Sequence, residues 1–208
     1  MTVGWRDVLL LIVGALFVWP RIQALQIPPV PEPAALTEDR VEEIDILLAA
    51  DAPVRRLGSG PVVLLEASDY QCPYCRVYAR KSFPVFRAMA ERGELEYLAL
   101  HTSIEAIHPD AMGRAVAVEC AEDFWAEHVP AFDGWRDHWW QVGPLAPSLA
   151  SCAGAEAHVR SAQALAESLD VTGTPTFFAG YVQPDGSWRF TLRFTGAASA
   201  DSITKQVI

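Results

Sequence analysis

The tetrapeptide Cys72-Pro73-Tyr74-Cys75 limits what this chain can be more than any other stretch. It follows an apolar run, Val62-Val63-Leu64-Leu65-Glu66-Ala67, and a turn-prone Ser68-Asp69-Tyr70-Gln71; residues with helical character come after it. In the order strand, loop, C-x-x-C, helix, such a motif serves redox chemistry more often than metal binding. The first cysteine then lies at a helix N-terminus, where unpaired backbone N–H groups and the positive end of the helix dipole stabilise a thiolate. Two cysteines at this spacing can also close a disulfide where geometry permits. Cys72 is expected to be the exposed attacker and Cys75 its shielded partner.

A chain of 208 residues, 51% of them apolar, can hold one domain with a sizeable core plus appendages. Its net charge of −10 argues against a nucleic-acid partner, because there is no basic excess to displace counterions. The four cysteines permit two pairs in an oxidising compartment. His101, His108, His128, His138 and His158 have no metal-ligand spacing, so neither a metal nor another cofactor is expected.

The N-terminus bears on the compartment. Val8 to Trp19 is an uninterrupted apolar run ended by Pro20-Arg21. It is shorter than the ~20 residues that span a bilayer, and reaches that length only if extended through Ile22, Leu25 and Ile27. Residues 1–27 read as a membrane anchor or a cleaved signal peptide; the best cleavage site, Ile22-Gln23-Ala24, lacks a small residue at its first position. Either reading puts the domain outside the cytoplasm, in the periplasm or cell envelope. Residues 28–36 are proline-rich and read as a semi-stiff polyproline II linker. Residues 37–208 remain for the folded domain.

Within it, Thr37 can cap a helix with Glu38 and Asp39 in the first turn and Val41, Ile44, Leu47 and Leu48 on one apolar face. Arg55 to Leu57 suits a short edge strand. The helix after Cys75 runs towards Arg92-Gly93 with a kink at Pro84 and a stop at Gly93. Glu94 to Leu100 then completes a βαβ unit with parallel strands. Helices are expected from His108-Pro109-Asp110 to Cys120, from Asp123 to Phe132, and from Glu156 to Leu169. Trp135, Trp139, Trp140 and the aromatics before them read mainly as core, with an exposed apolar rim for an unfolded client as the alternative for some of them. Val171 to Phe178 reads as turn residues running into a strand, Pro184-Asp185-Gly186 as a hairpin turn, Trp188 to Phe194 as its antiparallel return, and Ser199 to Val207 as a closing helix.

Two separated motifs agree at this point. The chain resembles the thioredoxin superfamily, and within it the DsbA-like extracytoplasmic thiol–disulfide oxidoreductases. The resemblance rests on Ser68-Asp69-Tyr70-Gln71-Cys72-Pro73-Tyr74-Cys75, on a Glu-Cys-Ala…Phe-Trp…His pattern within Ala117 to His128, and on Gly173-Thr174-Pro175-Thr176-Phe177-Phe178. It implies an α/β thioredoxin fold, a central mixed sheet with flanking helices, split by a helical insertion at about residues 104–168. It implies a cis peptide before Pro175, packed against the Cys72–Cys75 pair. Pro175 has no N–H, and the backbone of Thr174 can then pair with an extended client beside Cys72.

Glu66 lies where the family has a buried acid beneath the disulfide, which implies a proton acceptor for Cys75. The plainer reading is a strand-edge carboxylate facing water. Cys120 and Cys152 read as a structural disulfide stapling the insertion, against two buried free thiols. The resemblance implies an enzyme that exchanges disulfides with exported protein thiols, acting as a monomer and recharged by a membrane redox partner. The segment before Pro53 is too short for the dimerisation domain of the isomerases, so the oxidase direction is favoured. A disulfide reductase or isomerase is the alternative within the fold, and a non-catalytic membrane-tethered chaperone or metal-binding module the alternative outside it.

Overall fold

The computed structural model describes residues 32–37, 40–133 and 152–207. The apolar segment at residues 1–27, Trp135, Trp139 and Trp140 lie outside the described residues. Strands β1 (Val41–Leu48), β2 (Arg55–Gly58) and β3 (Val62–Ser68) come first, then helices α1 (Pro73–Lys81) and α2 (Phe83–Glu91), then β4 (Leu95–His101). Helices α3 (Ala111–Glu119), α4 (Phe124–Ala131) and α5 (Ala155–Ser168) follow, then the hairpin β5 (Thr176–Val182) and β6 (Trp188–Thr195), and finally α6 (Ala200–Val207).

The strands form one six-stranded sheet in the order β1-β6-β5-β3-β4-β2. Only β3 and β4 run parallel, joined by the α1–α2 crossover as expected; the other pairs are antiparallel. β3 is central and buried on both faces, which is why its sequence is a continuous apolar run with one carboxyl in it. Alternation along it sends Val63, Leu65 and Ala67 into a core shared with Ala162, Ala166 and Leu169 of α5 and its C-terminal end. Leu64 and Glu66 therefore face the other side, towards α1.

The expected helix after Thr37 is instead β1, an edge strand on β6. Its true apolar positions are Ile44, Ile46 and Leu48, spaced by two and packed on the core, while Leu47 is 69% exposed. A register shift between Glu43 and Ile46 inserts an extra residue and makes the step from Val41 to Ile44 look helical. The β-branched Val41, Ile44 and Ile46 were the contrary signal. Its outer face is tied across the strand pair by Asp45–Arg189 and Glu42–Arg193 ion pairs, each with a 2.8 Å contact.

The helix after Cys75 is two helices rather than one kinked helix. The chain breaks at Ser82, whose hydroxyl donates to the Ala198 carbonyl at 2.9 Å, and Pro84 sits in the first turn of α2, where a missing N–H costs nothing. Gly93 ends α2 at φ 74°. The N–H groups of Glu94 and Gly93 donate to the Met89 and Ala90 carbonyls, the two bonds of a Schellman stop. α3 begins at Ala111 with Asp110 as its cap residue, so Pro109 lies just outside the helix. The end of the expected linker is tied down: Ala34 pairs with Ala198, and Leu36 is buried.

Candidate active site

Cys72 is the cap residue of α1, and Pro73 opens the helix. The preceding loop is braced by Asp69. Its carboxylate accepts from the Gln71 N–H at 2.7 Å and the Ile104 N–H at 2.8 Å and meets His108 Nδ1 at 2.9 Å. The Asp69 carbonyl accepts from the Cys72 N–H at 3.0 Å. One buried side chain thus fixes the approach to the helix tip and ties it to the start of the helical insertion. Gln71 adds a second tie, its side-chain oxygen accepting from the Asp110 N–H at 2.7 Å.

The Thr174–Pro175 peptide is cis. The Cys72 thiol donates to the Thr174 carbonyl at 3.3 Å, so the loop before β5 and the tip of α1 meet at this sulfur. That contact corrects the expectation of an exposed attacker. Cys72 is only 4% exposed and Cys75 fully buried, both in a core cluster with Tyr70, Ala115, Val118 and Phe124; Tyr74 between them, at 61% exposure, is the residue that faces outward.

What separates the two sulfurs is hydrogen bonding at Cys72 and burial at Cys75. The Cys75 thiol points its hydrogen bond at Cys72, and with help from the backbone N–H groups of Cys75 and Tyr74 it lowers the Cys72 thiol from 9.0 to about 6 against the opposing effect of burial. Cys75 moves the other way, well above the ordinary thiol range: burial raises it most, followed by its bond to Cys72 and by the charges of Cys72 and Glu66. Cys72 is therefore the thiol that ionises first, while Cys75 keeps its proton.

Glu66 is fully buried on the face of β3 towards α1, so the strand-edge, water-facing reading is wrong: β3 is a central strand and leaves no wet side. Its Oε2 accepts a hydrogen bond from Tyr97 of β4, whose hydroxyl also lies 3.3 Å from that of Tyr78 on α1. Glu66 Oε1 is buried with no partner. His128 of α4, also fully buried, places Nε2 3.7 Å from Glu66 Oε2 and Nδ1 2.9 Å from the Tyr70 hydroxyl. Composition and spacing did not reveal this polar cluster. Its members are scattered over two strands, two helices and a loop, and Tyr70, Tyr78, Tyr97 and His128 look like ordinary core aromatics in the sequence. The one available signal was that His128 belongs to the motif shared with DsbA-like proteins.

Cys120 and Cys152 are bonded to each other, with Cα atoms 5.3 Å apart, and so stand apart from the Cys72/Cys75 pair. The bond ties the end of α3 to the residues just before α5. Beside it, Glu119 accepts from Arg55 and His101, the latter at 2.6 Å. Burial would raise this carboxyl, but those hydrogen bonds prevail and hold it at about 2. Among the described residues no group of three or more His, Cys, Asp or Glu is arranged to hold a metal ion.

A parallel β3–α–β4 unit and an antiparallel β5–β6 hairpin, with a cysteine pair at a helix tip against a cis-proline loop, define a thioredoxin fold carrying a helical insertion. The chain belongs to the thioredoxin family, whose model, described as Thioredoxin, matches residues 58–190. Among solved structures it is similar to alpha-DsbA1 of Wolbachia pipientis, with a TM-score of 0.60 and 17% identity over 74% of this chain and 88% of that one. It is also similar to oxidised BdbD of Bacillus subtilis, with a TM-score of 0.57 and 19% identity over 79% of this chain and 96% of the other. At these identities the likeness is one of fold. Among curated proteins it is 29% identical over 152 residues to Na(+)/H(+) antiporter NhaA 1 of Mycolicibacterium vanbaalenii, covering 65% of this chain and 24% of that protein. The chain spans less than a third of the length of the curated relatives it matches.

Proposed function

We propose that this chain is a thiol–disulfide oxidoreductase that passes disulfides to exported proteins through Cys72 and Cys75. The observation that carries the proposal is the placement of two cysteines on the first turn of α1 against the cis Thr174–Pro175 loop, with Cys72 Sγ 3.3 Å from the Thr174 carbonyl; the lowered Cys72 thiol and the raised Cys75 thiol agree with it. The activity belongs to the segment shared with the much longer antiporter relatives.

In the oxidising direction a client thiolate attacks Cys72 Sγ. The Cys72–Cys75 bond breaks, Cys75 leaves as a thiolate and takes up a proton, and a client–Cys72 mixed disulfide forms. A second client thiolate attacks the client sulfur and Cys72 leaves, so that two electrons pass from the client dithiol to the cysteine pair. A stabilised Cys72 thiolate is a good leaving group and lowers the free energy of the reduced enzyme, which favours donation over reduction. A membrane redox partner would then withdraw the two electrons. The Thr174 carbonyl already accepts from Cys72 and is available to pair with a client strand. The apolar run at residues 8–19 and the bond between Cys120 and Cys152 support an extracytoplasmic setting, with the chain tethered through residues 1–27. Cys120–Cys152 is assigned as structural.

The test is oxidation of a reduced client peptide. Cys72→Ser should abolish turnover, and Cys75→Ser should accumulate client adducts on Cys72 that run as mixed disulfides on a non-reducing gel. Full activity in both variants would remove the catalytic assignment.

A further inference from the structure

The Phe-Trp…His segment that the insertion shares with DsbA-like proteins has no part in the exchange steps above, yet it delivers His128 to the floor of the site. We propose that His128 is a positioning residue for Glu66, and that the two side chains together hold the proton that Cys75 sheds or takes up during disulfide exchange. This rests on the thiol-exchange function proposed above.

The geometry isolates the pair from water. His128 and Glu66 are both fully buried. The groups facing them are Tyr97 of β4, Tyr78 and Cys75 of α1, and Tyr70 of the loop that precedes the cysteines. His101 of β4 is the nearest further imidazole whose charge bears on His128. Phe83, Phe124 and Phe132 enclose the imidazole with ring centroids 5.1 to 5.5 Å away. Two acceptor or donor sites in this cluster are buried and unpartnered, Glu66 Oε1 and His128 Nε2. Buried atoms without a partner are costly, and each asks for a role.

The 3.7 Å gap between Nε2 and Oε2 exceeds a hydrogen bond, and Nε2 has no hydrogen-bond partner among the described residues. When the Tyr70 hydroxyl donates to Nδ1, the ring hydrogen lies on Nε2 and faces the Glu66 carboxylate favourably. When Glu66 carries a proton, the opposite tautomer fits, with Nδ1–H donating to Tyr70. The tautomer of His128 thus follows the protonation of Glu66. In resolution, the Cys75 proton moves to the Glu66 carboxylate, Cys75 Sγ attacks Cys72 Sγ in the mixed disulfide, the bond from Cys72 to the client breaks, and the client leaves as a thiolate. In client oxidation the same proton returns to Cys75. Atoms and electrons balance within the pair and the client.

The experiment is a single-turnover reaction of the full-length reduced protein with oxidised glutathione across pH, following Cys72 attack and Cys75 resolution separately. His128→Phe should slow resolution on the order of tenfold and displace its pH midpoint, while leaving the pH midpoint of Cys72 alkylation in place. Adding Glu66→Gln to His128→Phe should cost little more than Glu66→Gln alone. In the wild-type protein, the 15N shifts of His128 should differ between dithiol and disulfide forms, a readout that needs no variant to fold. An unchanged resolution profile in His128→Phe, additive losses in the double variant, or identical 15N shifts in the two redox forms would each overturn the assignment. If the wild-type protein does not react with oxidised glutathione at all, the thiol-exchange function itself fails, which is a separate result.

Discussion

At the residue scale, the chemistry is set by where two identical thiols sit on one helix. Cys72 caps α1 and receives hydrogen bonds; Cys75, one turn in, gives its own away and has no contact with water. The linkage has a definite sign. The folded Cys72 thiol is lowered from 9.0 to about 6, so ionisation stabilises the folded dithiol protein in full above pH ~9 and that contribution is lost as pH falls through about 6. Cys72 alkylation should therefore titrate with a midpoint near 6, and the melting temperature of the reduced protein should rise relative to the oxidised protein as pH climbs from 6 to 9. A midpoint near that of an ordinary thiol would contradict the assignment. The place of Cys72 at a helix tip was legible from the motif alone. The near-complete burial of Cys72 was not, because the loop at Thr174 that meets it is a hundred residues away in sequence.

At the scale of elements, β3 and the β5–β6 hairpin hold the site in register, and one glycine shows how closely. β5 and β6 shift register between Ala179 and Gly180, and a methyl group on Gly180 would collide with the Arg189 carbonyl. Gly180→Ala should destabilise the protein by about 1–3 kcal/mol in urea unfolding, as overpacking against backbone does. Gly93→Ala removes only the conformational freedom needed at φ 74°, with open space around it, and should cost about 1 kcal/mol in the same measurement. A Gly180→Ala protein as stable as wild type would mean that the strand pair can slide. Strands with plain alternation or a continuous apolar run were readable before folding. β1 was not, because its bulge disguised a period of two as a helical period, and only the pairing with β6 exposes the extra residue.

At the scale of the whole molecule, the insertion is fastened at three kinds of point: Asp69 to Ile104 and His108, Glu119 to Arg55 and His101, and Cys120 to Cys152. The bond between Cys120 and Cys152 closes a separation of 32 residues, for which chain entropy allows about 3–4 kcal/mol. Replacing both cysteines with serine should lower stability by about that amount in denaturant unfolding, while Cys72 alkylation keeps its pH midpoint. A coincident loss of the Cys72 midpoint would tie this bond to the redox site instead. The mixed sheet, its parallel βαβ unit and the presence of an insertion followed from the motifs and their separation; the strand order did not, because β1 was read as a helix. The buried cluster around Glu66 and His128 did not, because two strands, two helices and a loop must be packed before its members meet.

The most direct test is the reduction potential of the Cys72–Cys75 pair in equilibrium with glutathione. A stabilised Cys72 thiolate predicts a rapidly exchanging pair with a potential less negative than about −200 mV, on the oxidising side of thioredoxin. A pair that does not exchange, or one poised at about −270 mV or below, would contradict disulfide donation through these two sulfurs.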